Sequence, residues 1–414
     1  MEQAILENLK NPLELEKLYR GSKSTFKREF NKLYPTIKGS ELVEGWNQRL
    51  NYEGSEISWG AKNELLLVVV LSLMAGLIAK IPAFFGVQED LFYQRNISFI
   101  VLPFLAAYFI LKQRLVAKQL VAVGFLFISS VLYVNMLPHS YTSDTLVLAC
   151  IHLPLFLWTV LGYVFTGGAY NSLSKRLDFI KYNGDLLVMS AVTAIAGGLF
   201  VGISIGLFGL IGLNIEQLYF KYVVVFGAAA IPIVGTYLVR VNPQLVGKVS
   251  PVIAKVFTPL VLVTLVIYLV AILGTGKNPY TDRDFLIVFN LLLVGVMAIV
   301  FFSVAETSSD ARGKLGILML FALTVATAIV NCIALSAILF RISEWGITPN
   351  RLAVLGSNLI MLVNLVVVSY KLYQATTRRV EMEAVEGAIV AFLPYYSLWT
   401  FIVAFAFPAI FQFK

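Results

Sequence analysis

The sequence predicts an all-α fold: a polytopic transmembrane helical bundle of about eleven spans behind a small N-terminal helical module. Three observations carry this. Apolar runs about as long as a bilayer is thick follow one another from Glu64 to Lys414. Mean hydropathy is +0.81, with 58% hydrophobic and only 14% charged residues. The connections between runs are short and polar. A soluble domain of this composition would expose far more apolar surface than its core accommodates, whereas a bilayer accepts one helical crossing per roughly 20 apolar residues. Lipid admits only helices and closed barrels, because backbone polar groups must be satisfied internally. The runs are much longer than the roughly ten-residue alternating strands of a barrel, which excludes that architecture.

The predicted spans are 65–83, 97–111, 119–136, 144–167, 186–213, 222–239, 256–274, 285–304, 315–340, 352–371 and 387–411. They divide the chain into a cytoplasmic amphipathic module, 1–63, and a transmembrane domain, 64–414. The opening stretch is polar and charge-rich rather than a cleavable leader, so the first span is expected to act as the targeting signal. Pro394 and Pro408 predict a kink or split in the last span. Placing the N-terminus in the cytoplasm gathers Lys112, Arg114 and Lys118; Lys175, Arg176 and Lys181; Arg240, Lys248 and Lys255; Arg312 and Lys314; and Lys371, Arg378 and Arg379 on the inner side. The opposite connections hold fewer, Lys221 alone between the fifth and sixth spans and none in 137–144. That bias sets orientation, and eleven spans then leave the C-terminus outside.

The net charge of +8 suggests nucleic acid, but its distribution does not. Residues 1–64 hold ten basic and ten acidic side chains, so the surplus lies in the connections, as in membrane proteins generally. The expected partners are the lipid bilayer and a cytoplasmic protein recruited through the module, with no nucleic acid. Cys150 and Cys332 both fall within apolar runs, outside any metal or redox spacing, and are expected as buried free thiols.

In the module, Asn11-Pro12 followed by Leu13, Leu15, Leu18 and Tyr19 starts a helix. Phe26, Phe30, Leu33 and Tyr34 form a helical apolar stripe that Pro35 is expected to end. Leu42, Val43, Trp46 and Leu50 mark a third helix. Lys23, Lys27, Arg28 and Lys32 leave two geometries open: a basic face on anionic lipid, or a cap whose stripes pack on each other.

Within the spans, Gly198, Gly202 and Gly206 recur every fourth residue, the small-xxx-small pattern of close helix packing. Ionisable groups in hydrocarbon are costly, so each one is a candidate for function. His152, beside Pro154, is a candidate proton relay or carboxylate ligand, or an imidazole satisfied by a nearby carbonyl. Glu306 and Asp310 form an i, i+4 carboxylate pair at the inner end of the eighth span, placed to bind a coupling cation or to be neutralised by Arg312 and Lys314. Asn331 is a further pathway candidate, although it reads equally, with Asn290, Asn358 and Asn364, as an interhelical hydrogen-bond partner.

The connection Arg341-Ile-Ser-Glu344-Trp345-Gly346-Ile-Thr348-Pro349-Asn350-Arg351 reads as a stop and restart. Gly346 suits a left-handed helix end, Thr348 an N-cap and Pro349 the first helical position. Arg341 and Glu344 are spaced to pair, and with Arg351 they form an outer polar cluster. This stretch resembles one found in bacterial polytopic membrane proteins known only as a domain of unknown function, which often show an Arg, an aromatic–Gly pair, then Thr and a further Arg. The resemblance covers about a dozen residues and the general hydropathy. It implies a bacterial cytoplasmic membrane protein and supplies no activity or catalytic residue.

No catalytic signature is present. Gly274-Thr-Gly276-Lys277-Asn278 lacks the first glycine and the hydroxyl residue of a phosphate loop. Two histidines, His139 and His152, do not make a multi-histidine metal site, and no cofactor is implied. Three functions remain open. A small-solute or lipid-linked transporter fits the spans best. The others are a scaffold or sensor working through residues 1–63, and an intramembrane enzyme acting on lipid or envelope precursors near Arg341, Glu344 and Arg351.

Overall fold

The computed structural model describes residues 2–9, 11–21, 23–51, 61–113, 115–138, 143–210, 213–275, 280, 283–306, 314–377 and 379–413. It divides into two compact units, Met1–Ser58 and Trp59–Lys414. Every regular element among the described residues is helical.

The first unit holds α1 (Glu2–Glu7), α2 (Pro12–Gly21), α3 (Lys23–Ile37) and α4 (Glu41–Asn51). Asn11 Oδ1 accepts the Glu14 amide at 3.3 Å and starts α2 as expected. The expected stop at Pro35 is corrected, because α3 continues to Ile37. A proline in the last turn removes only one donor, and the Thr36 hydroxyl takes the Leu33 carbonyl at 2.7 Å. Ile5, Leu15, Phe26, Phe30, Leu33, Val43, Trp46 and Leu50 are buried together. The stripes therefore face one another. Trp46 is the hub: its ring lies 5.2 Å from Phe26 and 5.5 Å from Tyr19. Arg49 covers it at 4.6 Å and pairs with Glu16 at 2.7 Å. The side chains of Lys23, Lys27 and Arg28 lie outside the described residues.

The second unit contains α5 (Lys62–Ala79), α6 (Ile81–Phe85), α7 (Glu89–Gln113), α8 (Ala117–Met136), α9 (Asp144–Phe165) and α10 (Leu173–Leu210). Then come α11 (Glu216–Leu218), α12 (Val225–Val241), α13 (Pro243–Thr275), α14 (Arg283–Glu306), α15 (Lys314–Trp345) and α16 (Pro349–Thr376). The last are α17 (Met382–Val390), α18 (Leu393–Phe401) and α19 (Phe407–Ile410). Wide π turns join α11 to α12 at Tyr219–Val224 and α18 to α19 at Ile402–Ala406. Among the described residues, nine helical stretches are long and apolar enough to cross a membrane. Val256–Ile267 of α13 and Asn290–Ala305 of α14 add two shorter apolar stretches, at the predicted seventh and eighth spans. The last predicted span does split, with Pro394 and Pro408 each in the first turn of a new helix.

Two groups of helices make the bundle. One packs α5 on α12, α7 on α9 and α10 on α12 around Phe104, Tyr108, Phe109, Leu161, Phe179 and Tyr237. The other packs α13, α14, α15 and α16 around Leu293, Val296, Leu323, Val330 and Leu365. Between them α10 and α17 share a core with α14, α15 and α16. Asn290 Oδ1 accepts from Asn358 Nδ2 at 2.9 Å, and Asn331 Nδ2 donates to the Asn358 carbonyl at 3.1 Å. Asn364 donates to the Tyr396 hydroxyl at 3.2 Å.

The glycine stripe behaves otherwise than its spacing suggests. Among the described residues nothing lies within 4 Å of a Cβ built at Gly198, Gly202 or Gly206, so this face of α10 is open. The spacing permits close approach; among the described residues no helix takes it. Close approaches occur at isolated glycines instead: Gly76 against Phe226, Gly184 against Phe302 and Gly356 against Trp399. Cys332 is likewise exposed on α15 while Cys150 is buried, which corrects the expectation of two buried thiols.

Two outcomes are expected. The Tyr34 hydroxyl donates to Glu44 at 2.8 Å, and that bond to a carboxylate pushes the phenol above its ordinary value. A raised folded-state pKa stabilises the fold below the ordinary phenol value of about 10, and the contribution disappears as pH rises through the raised value. Limited proteolysis of residues 1–51 in the full chain should therefore stay level to about pH 9 and accelerate above about pH 10, with Tyr34→Phe abolishing the Tyr34-dependent part. Trp399 is fixed by donating to the Ala353 carbonyl (3.2 Å) and Ser357 Oγ (3.0 Å), so it cannot retreat from an added methyl. Gly356→Ala should destabilise the protein by about 1–3 kcal/mol in thermal unfolding, and Gly202→Ala should not.

Candidate functional site

A half-open recess of about 400 Å³ lies where the ends of α7, α9, α10 and α12 meet. Its rim carries Lys175, Lys181 and Arg240 with Asp178 and Asp185; Gln113, Thr166 and Tyr182 form polar parts of its wall. Local geometry explains why these meet. After α9 the chain turns on Gly167 (φ 65°) and Gly168 (φ 79°), left-handed positions that favour glycine. Gln119 packs against Gly168 so closely that a Cβ there would collide with its amide. The turn exposes the last carbonyls of α9. Gln113 Nε2 takes that of Phe165 at 2.8 Å, and Lys175 Nζ takes that of Thr166 at 3.2 Å. At the floor, the Thr236 hydroxyl donates to the Pro232 carbonyl at 2.8 Å, so it accepts from Tyr182 at 2.8 Å.

A second network closes the same end of the bundle. Glu64, in the first turn of α5, pairs with Lys112 at 2.7 Å and accepts the buried Tyr108 hydroxyl at 2.6 Å. Arg240 lies within electrostatic reach of Glu64, joining this network to the recess rim.

The residues singled out by sequence lie elsewhere. His152 is half-buried on α9, with Nδ1 2.9 Å from the Leu148 carbonyl one turn back. Asn331 is buried in the asparagine network. Glu306 closes α14; its side chain, and Asp310 altogether, lie outside the described residues. The Arg341–Arg351 connection forms as expected: Gly346 has φ 76°, and Thr348 caps α16 by accepting the Arg351 amide. Its side chains take other partners. Arg341 Nε donates to the Tyr280 carbonyl at 3.0 Å, and Arg351 Nη1 donates to the carbonyls of Trp345 and Gly346 at 2.9 and 2.7 Å. Both guanidiniums lie within 6 Å of the Trp345 ring, at 5.6 and 5.7 Å, while Glu344 is exposed; an Arg341–Glu344 ion pair is not among those of the described residues. A lateral groove of about 540 Å³ exists between α15 and α16, but apolar residues such as Ile329, Leu362 and Val366 line it, together with Cys332. Among the described candidates, His152, Asn331, Arg341 and Arg351 each bond to partners outside the set or within their own connection, and no hydrogen bond joins His152 or Asn331 to the others.

Sequence reasoning assigned Lys175, Lys181 and Arg240 to orientation alone and passed over Lys80 and Arg95. Lys80 is buried, donating to the Lys221 carbonyl of the first π turn at 2.7 Å beneath the Tyr222 ring. Arg95 is buried between α7 and α8. The available signal was position: both stand at the edge of an apolar run, where a cation is usually read as solvated. Among the described residues no three His, Cys, Asp or Glu side chains converge as metal ligands would.

Comparison with known proteins finds no matching family model, no matching curated protein and no matching solved structure. The fold and composition define the class, a multi-pass helical membrane protein.

Glu64→Leu should lower thermal stability more than Lys112→Ala. The first leaves the buried Tyr108 hydroxyl without its acceptor, at a cost of about 1–3 kcal/mol, whereas the second removes a partly exposed ion pair. Parallel melts of the two variants in one detergent check this order.

Proposed function

We propose that this chain is a permease-type transporter of a small, negatively charged solute, with the recess between α7, α9, α10 and α12 as its entry site. The recess carries the proposal. Its volume of about 400 Å³ falls within the usual range for small-ligand pockets. Three cations, Lys175, Lys181 and Arg240, stand there against two carboxylates, Asp178 and Asp185, a balance that favours an anion while leaving acceptors for its polar groups. Support also comes from the two π turns and the broken last span, since interrupted helices are a recurring means of building solute sites within a bundle. The distribution of Lys and Arg supports a cytoplasmic face for the recess, and the resemblance of the Arg341–Arg351 stretch supports a bacterial cytoplasmic membrane.

The test uses protein reconstituted in sealed vesicles, with Cys150 and Cys332 replaced by serine and single cysteines placed at 181 and 240. Impermeant maleimide should label both positions from one face only. Uptake of radiolabelled phosphate and of small mono- and dicarboxylates should exceed that of empty vesicles for at least one probe and fall about tenfold or more in Lys181→Ala/Arg240→Ala. Flux equal to empty vesicles across the panel, with both cysteines unreactive, would refute the transport reading.

A further inference from the structure

Four cationic side chains are buried among the described residues, Lys80, Arg95, Arg176 and Arg341, and no carboxylate is. Each reaches a carbonyl at a helix end, turn or π turn. Arg95 has donors beyond that task. It is 6% exposed, and its Nη1 donates to the carbonyls of Val134 (3.2 Å) and Asn135 (3.1 Å), two of the orphan acceptors that end α8. Nε and Nη2 have no hydrogen-bond partner among the described residues. Those two nitrogens share one edge of the guanidinium, the edge that grips a carboxylate or phosphate through two parallel bonds.

The surroundings are donor-rich. Ser98, one turn along α7, is 5% exposed, and its hydroxyl has no partner among the described residues. Ser130, one turn before Val134 on α8, is 1% exposed and in the same condition. Beside them Asn96 and Asn135 exchange reciprocal amide bonds of 2.7 and 3.0 Å, fixing α7 against α8. The guanidinium bonds to carbonyls, and the Cys150 thiol of α9 lies within its electrostatic reach. Its hydrogen bonds are partly met and no carboxylate is buried with it, a costly condition that an anion relieves. Arg95 stands eighteen residues before Gln113 on α7, about 27 Å from the recess at 1.5 Å per residue.

We propose that Arg95 is the anchor of an occluded oxyanion site between α7 and α8, with Ser98 and Ser130 as hydroxyl donors. Its ligand is a carboxylate or phosphate group taken side-on by Nε and Nη2. The site stands independently of the recess, because Lys181 and Arg240 lie at the other end of the bundle.

The test is thermal unfolding of the full-length protein, delipidated in a neutral detergent, against inorganic phosphate at constant ionic strength. Phosphate should raise the midpoint for wild type. Arg95→Gln and Arg95→Lys should weaken the response about tenfold or more, since a lysine keeps the charge and loses the fork. Lys181→Ala should keep it. If free phosphate has no effect, nanodiscs of phosphatidylglycerol are compared with nanodiscs of phosphatidylcholine. Stabilisation by the anionic lipid that depends on Arg95 supports the same site with a headgroup as its source. Wild type and Arg95→Gln responding equally to phosphate and to lipid would overturn the proposal, leaving Arg95 as a cap for α8. Should the Arg95 variants fail to fold, Ser98→Ala serves: a severalfold weaker phosphate or lipid response supports the site, and an unchanged one overturns it.

Discussion

The bundle depends on one constraint: every carbonyl released by a helix end or a break must find a donor in a medium that supplies no water. This chain meets it with cations. Lys80 covers the π turn at Lys221, Arg95 the end of α8, Arg176 the end of α17 through Val390, and Arg341 the turn at Tyr280. An ammonium or guanidinium serves two purposes at such a point, because helix C-termini carry partial negative charge as well as open acceptors. At these four points an interruption and a buried positive charge occur together, whereas at the second π turn the Tyr133 hydroxyl donates to the Phe405 carbonyl at 3.0 Å.

That coupling shapes both polar regions. At one end of the bundle, the glycine turn after α9 presents carbonyls that Gln113 and Lys175 cover, and the side chains so placed become the rim of the recess. At the other, the end of α8 holds Arg95 by one nitrogen, and the opposite edge of its guanidinium has no hydrogen-bond partner among the described residues. In each case a structural need for donors gathers cationic side chains at one end of the bundle. The α13–α16 group solves its interior differently, with neutral amides: Asn290, Asn331 and Asn358 link three helices without bringing charge between them.

Much of the fold was legible, for particular reasons. A crossing helix is a long apolar run, so each predicted span has a counterpart among the helices, and the split in the last follows from prolines that cannot donate. The restart at Gly346, Thr348 and Pro349 was readable because capping is local. Pro35 shows where such reading stops: in the last turn a proline costs a single donor, and the helix runs on to Ile37. Gly198, Gly202 and Gly206 show a second limit, for a small-residue face states only that a neighbour could come close. His152 and Asn331 stood out by chemistry, yet one is bonded within its own helix and the other in an amide network.

The sequence by itself determined the class of protein, the order and approximate limits of the spans and the helical nature of the N-terminal unit. Hydropathy and periodicity are properties of a segment, and a segment's own residues suffice to read them. Only the tertiary structure decided which polar groups meet. The recess draws on four helices, from Gln113 on α7 to Arg240 on α12, and Arg95 acquires its meaning from carbonyls some forty residues away on α8. Convergence of that kind depends on how helices turn and pack against one another, which no single run of residues encodes.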